Sequence, residues 1–222
     1  CHASLRRLGV DYVDLYQCHR YDDTVPLEET LRALDDLISQ GKVLYAGVSE
    51  WTADQITDAV RTQERLGLHR LAGHQPQYSL LARRIEDRVL PRCREEGVGQ
   101  VVFSPLAGGA LTGKYRPGEP PPEGSRGADP QDRALMERVL RDEPLAAVQR
   151  LEEEVARPMG ISVAQLSLAW VLHREGVASA IVGASRPEQV EENVAAADVD
   201  LGRETLGRIE EIMGPFARQA HA

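Results

Sequence analysis

The sequence is short of several things, and each shortage closes off a class of function. Its three cysteines, Cys1, Cys18 and Cys93, lie far apart with no Cys-x-x-Cys pair. They suggest neither a zinc site nor a disulfide framework, so no metal is expected and a reducing cytoplasm is the expected setting. No run of roughly 18 apolar residues occurs and no signal peptide opens the chain, which argues against a membrane protein. Positive charge is scarce: 26 Lys and Arg stand against 35 Asp and Glu, a formal charge of −9. An acidic chain of this kind is a poor partner for nucleic acid or an anionic membrane. Only Lys42 and Lys114 are lysines. No Gly-x-Gly-x-x-Gly follows the first strand-like run, which weakens a doubly wound dinucleotide fold.

What is present is an ordinary globular balance, 42% hydrophobic and 27% charged over 222 residues. That length suffices for one large domain or two small ones. The chain opens at Cys1, inside what reads as the tail of a helix (SLRRLG), and a preceding segment is expected. Val10–His19 then reads as a strand that finishes on polar residues. Leu27, Leu31, Leu34 and Ile38 hold a helical spacing, and the helix they predict over Pro26–Gln40 has Glu28 and Glu29 in its first turn and Gly41 as its stop. Lys42–Ser49 is the next strand, followed by a helix capped by Thr52 and Gln55. Leu71–Tyr78 is a strand interrupted by Gly73 and Pro76. Ile85–Glu96 predicts a helix and Gln100–Leu106 a strand.

A Gly- and Pro-rich excursion from Ala107 to Asp132 comes next. So long a connection inside a compact domain reads as a binding loop or lid. Helices are predicted over Pro144–Ala156 and Val163–Glu175, the second behind a Ser162…Gln165 capping box. The second is apolar on nearly all sides and should be buried on two faces, with Trp170 in the core. Ala178–Val182 reads as a buried strand closed by Gly183. Ser185 and Glu188 form the pattern of a capping box, with Pro187 in the first turn of the helix that follows. That helix N-terminus is either an anion site, to which Ser185 and Arg186 add donors, or a plain cap beside a solvated arginine. A last amphipathic helix (Leu206, Ile209, Met213) is predicted to end at Gly214-Pro215.

Strand and helix thus alternate through five units at roughly 30-residue spacing, the pattern of a parallel sheet in an α/β fold. Five units could make a doubly wound sheet or part of a (β/α) barrel. Barrel enzymes collect their functional groups at the C-terminal ends of the strands. Here those ends carry His19, Ser49-Glu50, Gln75, Phe103-Ser104 and Gly183-Ala184-Ser185, and a barrel would bring them to one mouth.

The stretches SLRRLGVDYVDLYQCHRYD, GKVLYAGVSEW, HQPQYSLL, FSPLAGGALTGKY and IVGASRPEQVEEN resemble, in order, the aldo-keto reductases. Within that family the likeness is to bacterial glyceraldehyde-phosphate-reductase-like members and to potassium-channel β subunits. The resemblance runs from Ser4 to Gly214 and implies a single domain over 1–222 that is the C-terminal portion, strands four to eight with a final C-terminal helix, of a (β/α)8 TIM barrel.

It further implies an NADPH-dependent oxidoreductase that reduces a small aldehyde or ketone, or alternatively a non-catalytic NADPH-binding regulatory subunit. By resemblance, His19 would polarise the substrate carbonyl, Ser49 and Gln75 would hold the nicotinamide carboxamide, and Glu50 takes a slot often filled by Asn. Phe103 takes the aromatic slot that stacks on the nicotinamide. Ser104, Pro105, Leu106 and Gly108 match the turn around the pyrophosphate. Lys114 and Arg126 resemble the basic pair on a cofactor-covering loop, 107–132. Gly183, Ser185 and Arg186 would meet the adenosine 2′-phosphate, which favours NADPH over NADH. Gln189, Glu192 and Asn193 match the adenine-end contacts.

The family's catalytic aspartate, tyrosine and lysine have no match in this sequence: Lys42 and Lys114, and Tyr12 and Tyr16, stand at other positions of the pattern. Turnover by this chain alone is therefore expected to be negligible. A sheet lacking its first three strands would have open edges and uncovered apolar faces, so poor solubility or a homo-oligomer is also expected.

Overall fold

A computed structural model describes residues 1–217, the side chains of residues 133, 135 and 217 excepted. The chain is an α/β fold with strands in the order β1-β2-β3-β4-β5. It forms two compact units, the first comprising 1–76 and 85–101, the second 77–84 and the rest from Val102 onward.

In the first unit the elements are α1 (His2–Leu8), β1 (Val13–Cys18), α2 (Leu27–Ser39), β2 (Val43–Ser49), α3 (Ala53–Leu66), β3 (Leu71–Gln75), α4 (Val89–Glu95) and the start of β4 (Gly99–Phe103). β1 pairs with β2, β2 with β3 and β3 with β4, all parallel. The α2 spacing works as predicted, with Leu31 and Leu34 buried. They join Ala46, Val48, Trp51, Ile56, Ala59, Leu71, Cys93 and Val98 in one core.

The other sheet face is bare by comparison. There Leu15 pairs in register with Tyr45 and Gln17 with Gly47, and a Cβ at Gly47 would come within 2.8 Å of the Gly73 carbonyl oxygen and 3.0 Å of Gln17 Cγ. Only glycine fits so close an approach. The pairing slips between Ala46 and Gly47, and beyond the slip Val48 lies opposite His74 and Ser49 opposite Gln75.

α3 starts with a reciprocal capping box, Thr52 accepting from the Gln55 N–H and the Gln55 side chain accepting from the Thr52 N–H. The predicted helix over Ile85–Glu96 is realised only as α4. Pro91 has no N–H and would clash with the carbonyl one turn back, so it is tolerated in the first turn of a helix beginning at Val89 but not in the middle of a longer one. Gly73 stays within β3, which ends before Pro76.

The second unit contains the end of β4, then α5 (Arg133–Met136), α6 (Asp142–Leu151), α7 (Val163–Leu172), β5 (Val177–Ile181), α8 (Pro187–Ala195) and α9 (Arg203–Ala217). α6 runs on into a π-turn over Glu152–Ala156. α7 is buried all round: Val163, Ala164, Leu166, Ser167, Leu168, Ala169, Trp170 and Val171 are all inside, and its Ser162–Gln165 capping box forms on both sides.

Three expectations are corrected here. β5 is not a buried strand: Ile181 is 44% and Val182 40% exposed, because apolar sequence supplies a face to bury but not the element that covers it. The box expected from Ser185 and Glu188 does not form. Pro187 is the first helical residue and Arg186 the N-cap, without a side-chain cap, while the Ser185 N–H and Oγ both donate to Gln189 Oε1, at 2.7 and 3.2 Å. α9 passes through Gly214-Pro215 to Ala217, since one missing N–H costs a single helical bond in an element anchored by buried Ile209, Ile212 and Met213.

Candidate functional site

In the first unit the C-terminal ends of β1, β2 and β3 gather His19, Ser49, Glu50 and Gln75. Ser49 is buried, and its Oγ donates to the Gln75 carbonyl at 2.8 Å. The Glu50 N–H donates to the same carbonyl at 3.2 Å. The Gln75 side chain donates in turn to Gln17 Oε1 at 2.8 Å. Glu50 takes a left-handed conformation, φ 59°, which is unfavourable for a residue with a Cβ and is best tolerated by Gly, Asn or Asp. That is a physical reason for the slot to favour Asn.

His19 is exposed just beyond β1. It lines a cavity of about 440 Å³ with Gln17, Arg20, Tyr21 and Trp51 among its neighbours. Arg20 Nη1 donates to the His19 carbonyl at 2.7 Å and reaches Ser49 Oγ at 3.5 Å, while Tyr21 packs edge-on against Trp51 with centroids 4.7 Å apart. Cys18 also lines the cavity. Burial pushes its thiol pKa up, which keeps it protonated and a poor nucleophile.

Two buried donors here, Gln17 Nε2 and Trp51 Nε1, have no hydrogen-bond partner.

In the second unit, β4 delivers Phe103 to a half-buried position, where its carbonyl accepts from the Tyr78 N–H at 3.2 Å. Ser104 and Ala107 are both left-handed, φ 53° and 49°, so the chain turns tightly. The Ala107 N–H donates to the Ser104 carbonyl at 2.9 Å and the Gly109 N–H to the Leu106 carbonyl at 2.8 Å. Pro105 is buried within this turn, and Gly108 has φ 67°. Lys114 Nζ lies 2.9 Å from where a Cβ of Gly109 would be and stands over the Tyr115 ring at 5.1 Å, so its ammonium is beside the turn.

Arg126 instead pairs with Asp132 on the same loop, at 4.0 Å. The loop is held by the helices that follow it and by its own main chain: Tyr115 clusters with Met136 of α5 and Leu145 of α6, and its hydroxyl accepts from the Gly127 N–H at 3.1 Å. Gly183, Ser185 and Arg186 are exposed before α8. Gln189 is engaged by Ser185 as described. Glu192 Oε1 accepts from Ser162 Oγ at 2.6 Å and its carbonyl from Gln165 Nε2 at 3.2 Å, so Glu192 ties α8 to the start of α7. Asn193 is half-buried.

Sequence reading missed Gln17, Arg20 and Trp51. Each sits one or two residues from a residue it did single out, but only the folded pairing of β1, β2 and β3 brings them to Gln75, Ser49 and the cavity. Among the described residues no group of three metal-ligating side chains occurs, and no helix is long and apolar enough to cross a membrane.

A model of the aldo/keto reductase family matches residues 1–213. The chain is 43% identical over 198 residues to a probable voltage-gated potassium channel subunit beta of Arabidopsis thaliana, covering 89% of this chain and 60% of that protein. It is 42% identical over 214 residues to the protein of the same name in Oryza sativa subsp. japonica, covering 95% and 65%. It is 38% identical over 210 residues to an L-glyceraldehyde 3-phosphate reductase of Escherichia coli O157:H7, covering 94% and 60%. The chain thus spans 60 to 65% of the length of these relatives.

Proposed function

This chain belongs to the aldo/keto reductase family, and on that premise we propose that it carries the carbonyl-polarising and dinucleotide-holding side chains of an NADPH-dependent oxidoreductase that reduces aldehydes or ketones to alcohols. The observation that carries the reading is the cluster at the ends of β1, β2 and β3: Ser49 bonded to the Gln75 carbonyl, the Gln75 side chain bonded to Gln17 and His19 on a 440 Å³ cavity.

A reduced nicotinamide, when bound, would supply the hydride. Ser49 and Gln75, helped by Gln17, would hold its carboxamide. His19 donates a hydrogen bond to the substrate carbonyl oxygen, meeting the charge that develops there with a donor already in place. In the second unit, Phe103 is by family likeness the side chain that would stack on a nicotinamide. The main chain of Ser104, Pro105, Leu106 and Gly108 serves the pyrophosphate with Lys114, and Arg126 joins them by exchanging its exposed pairing with Asp132, a bond of little worth. Gly183, Ser185 and Arg186 serve the 2′-phosphate, with Gln189, Glu192 and Asn193 at the adenine end.

A second reading is a regulatory NADPH-binding subunit without turnover. The names of the Arabidopsis and rice relatives favour it.

Titration of the purified chain against NADPH and NADH fluorescence tests both readings. Saturable NADPH binding, weakened at least fivefold by Ser49→Ala, and by Arg186→Ala for NADPH but not NADH, is expected. No binding, or binding indifferent to Ser49, overturns the proposal. With a small aldehyde added, steady NADPH oxidation abolished by His19→Ala supports the reductase and removes the regulatory reading; binding without oxidation does the reverse for this chain.

A further inference from the structure

His74 is a buried titratable side chain beside the cluster that the reading above does not use. It is fully buried on β3, one residue before Gln75. Its Nδ1 lies 2.9 Å from Gln100 Oε1, and its Nε2 accepts the Trp51 backbone N–H at 3.1 Å. The Gln100 amide is oriented by its own donation to the Val98 carbonyl at 3.1 Å, so Oε1 faces the imidazole. An amide oxygen only accepts, so Nδ1 carries the proton and Nε2 is the free acceptor. The ring is thus held in one neutral tautomer, and that tautomer is the one that can receive Trp51.

The consequence lies at the exit of β2. Ser49 and Glu50 are bonded to the Gln75 carbonyl, and Trp51 is bonded to His74. Three successive residues leaving β2 are therefore tied to two successive residues of β3. Between the ties sits Glu50 at φ 59°, a conformation that persists only where its surroundings enforce it.

We infer that His74 is a positioning residue: with Gln100 it locks the Ser49–Glu50–Trp51 turn onto the end of β3, and so fixes the Ser49 hydroxyl at the proposed nicotinamide end of the site. The placement of nicotinamide rests on the proposed function; the locking of the turn does not. His74 touches neither dinucleotide nor substrate and acts through the turn alone.

Amide hydrogen exchange on the full chain separates the two. In His74→Phe, which keeps the ring volume and removes both bonds, the Glu50 and Trp51 amides exchange at least tenfold faster while those of Val48 and Ala46 are unchanged. His74→Gln places an amide oxygen near the Nε2 position and restores slow exchange. Should His74→Phe not fold, His74→Asn keeps reach to Gln100 but not to Trp51, and the same loss of protection is expected. Unchanged exchange at Glu50 and Trp51, or an equal rise throughout the sheet, overturns the inference. NADPH affinity is read in the same variants: at least fivefold weaker in Phe or Asn and near the parent value in Gln. Loss of protection without loss of affinity overturns the link to the cofactor site, whereas a parent chain that binds no NADPH overturns the proposed function and leaves the exchange result to judge His74.

Discussion

His74 also makes the chain's stability depend on pH in a way that one residue can be held to account for. Burial lowers its pKa from the ordinary 6.5 to about 4, because the loss of hydration penalises the charged ring more than its bond to Gln100 favours it. The folded value lies below the unfolded one, so as pH falls the unfolded chain takes up its proton first. The stabilisation is complete above pH 6.5 and is lost progressively down to about pH 4, on the order of 3 kcal/mol. Cys93, which shares Gln100, does not interfere, since burial pushes its thiol up to about 11. Urea midpoints at pH 7 and 4.5 check this. His74→Gln should show a clearly smaller drop between the two than the parent, and an identical drop would exclude His74 as the cause.

At the scale of elements, the helices that begin with a reciprocal box could be read from the chain because the box is local. Thr52…Gln55 and Ser162…Gln165 each satisfy two orphan N–H groups, and loss of such a cap costs about 1 kcal/mol. Ser162 carries more, since its hydroxyl also donates to Glu192. Thr52→Ala is therefore expected to lower unfolding stability by about 1 kcal/mol and Ser162→Ala by about 2 kcal/mol, measured by denaturant melts; equal losses would mean that the Glu192 bond contributes nothing.

Ser185…Glu188 has the same spelling and forms no box. Pro187 takes the first helical position, so Ser185 stands one residue too early and Gln189 answers it instead. Pro91 likewise shortened α4 for a reason visible in the sequence but outweighed there by the apolar spacing of Ile85, Val89 and Cys93. Hydrophobic periodicity says which face is buried; proline decides where the helix starts.

For the whole molecule, the main fact is apolar surface left open. Leu15 and Tyr45, paired in register, are 37% and 59% exposed, and Val10, Tyr12 and Leu44 are open as well. β1 is the first strand in the order and so presents unpaired backbone groups, the combination that promotes edge-to-edge association. The chain is expected to self-associate at tens of micromolar in light scattering, with the double variant Leu15→Lys, Tyr45→Glu shifting it toward monomer. A parent chain that stays monomeric and binds no hydrophobic dye would refute this.

The sequence by itself determined the alternation of strand and helix, the buried α7, the two boxed helices and the residues at each strand end, because these depend on period, capping and punctuation within a few residues of one another. Only the tertiary structure decided that β2 and β3 slip by one residue so that Ser49 meets Gln75, that Glu50 is forced left-handed, and that His74 reaches Trp51 on one side and Gln100 on the other. Those depend on register between segments some 25 residues apart, and register is set by which faces can be buried together, which no single segment encodes.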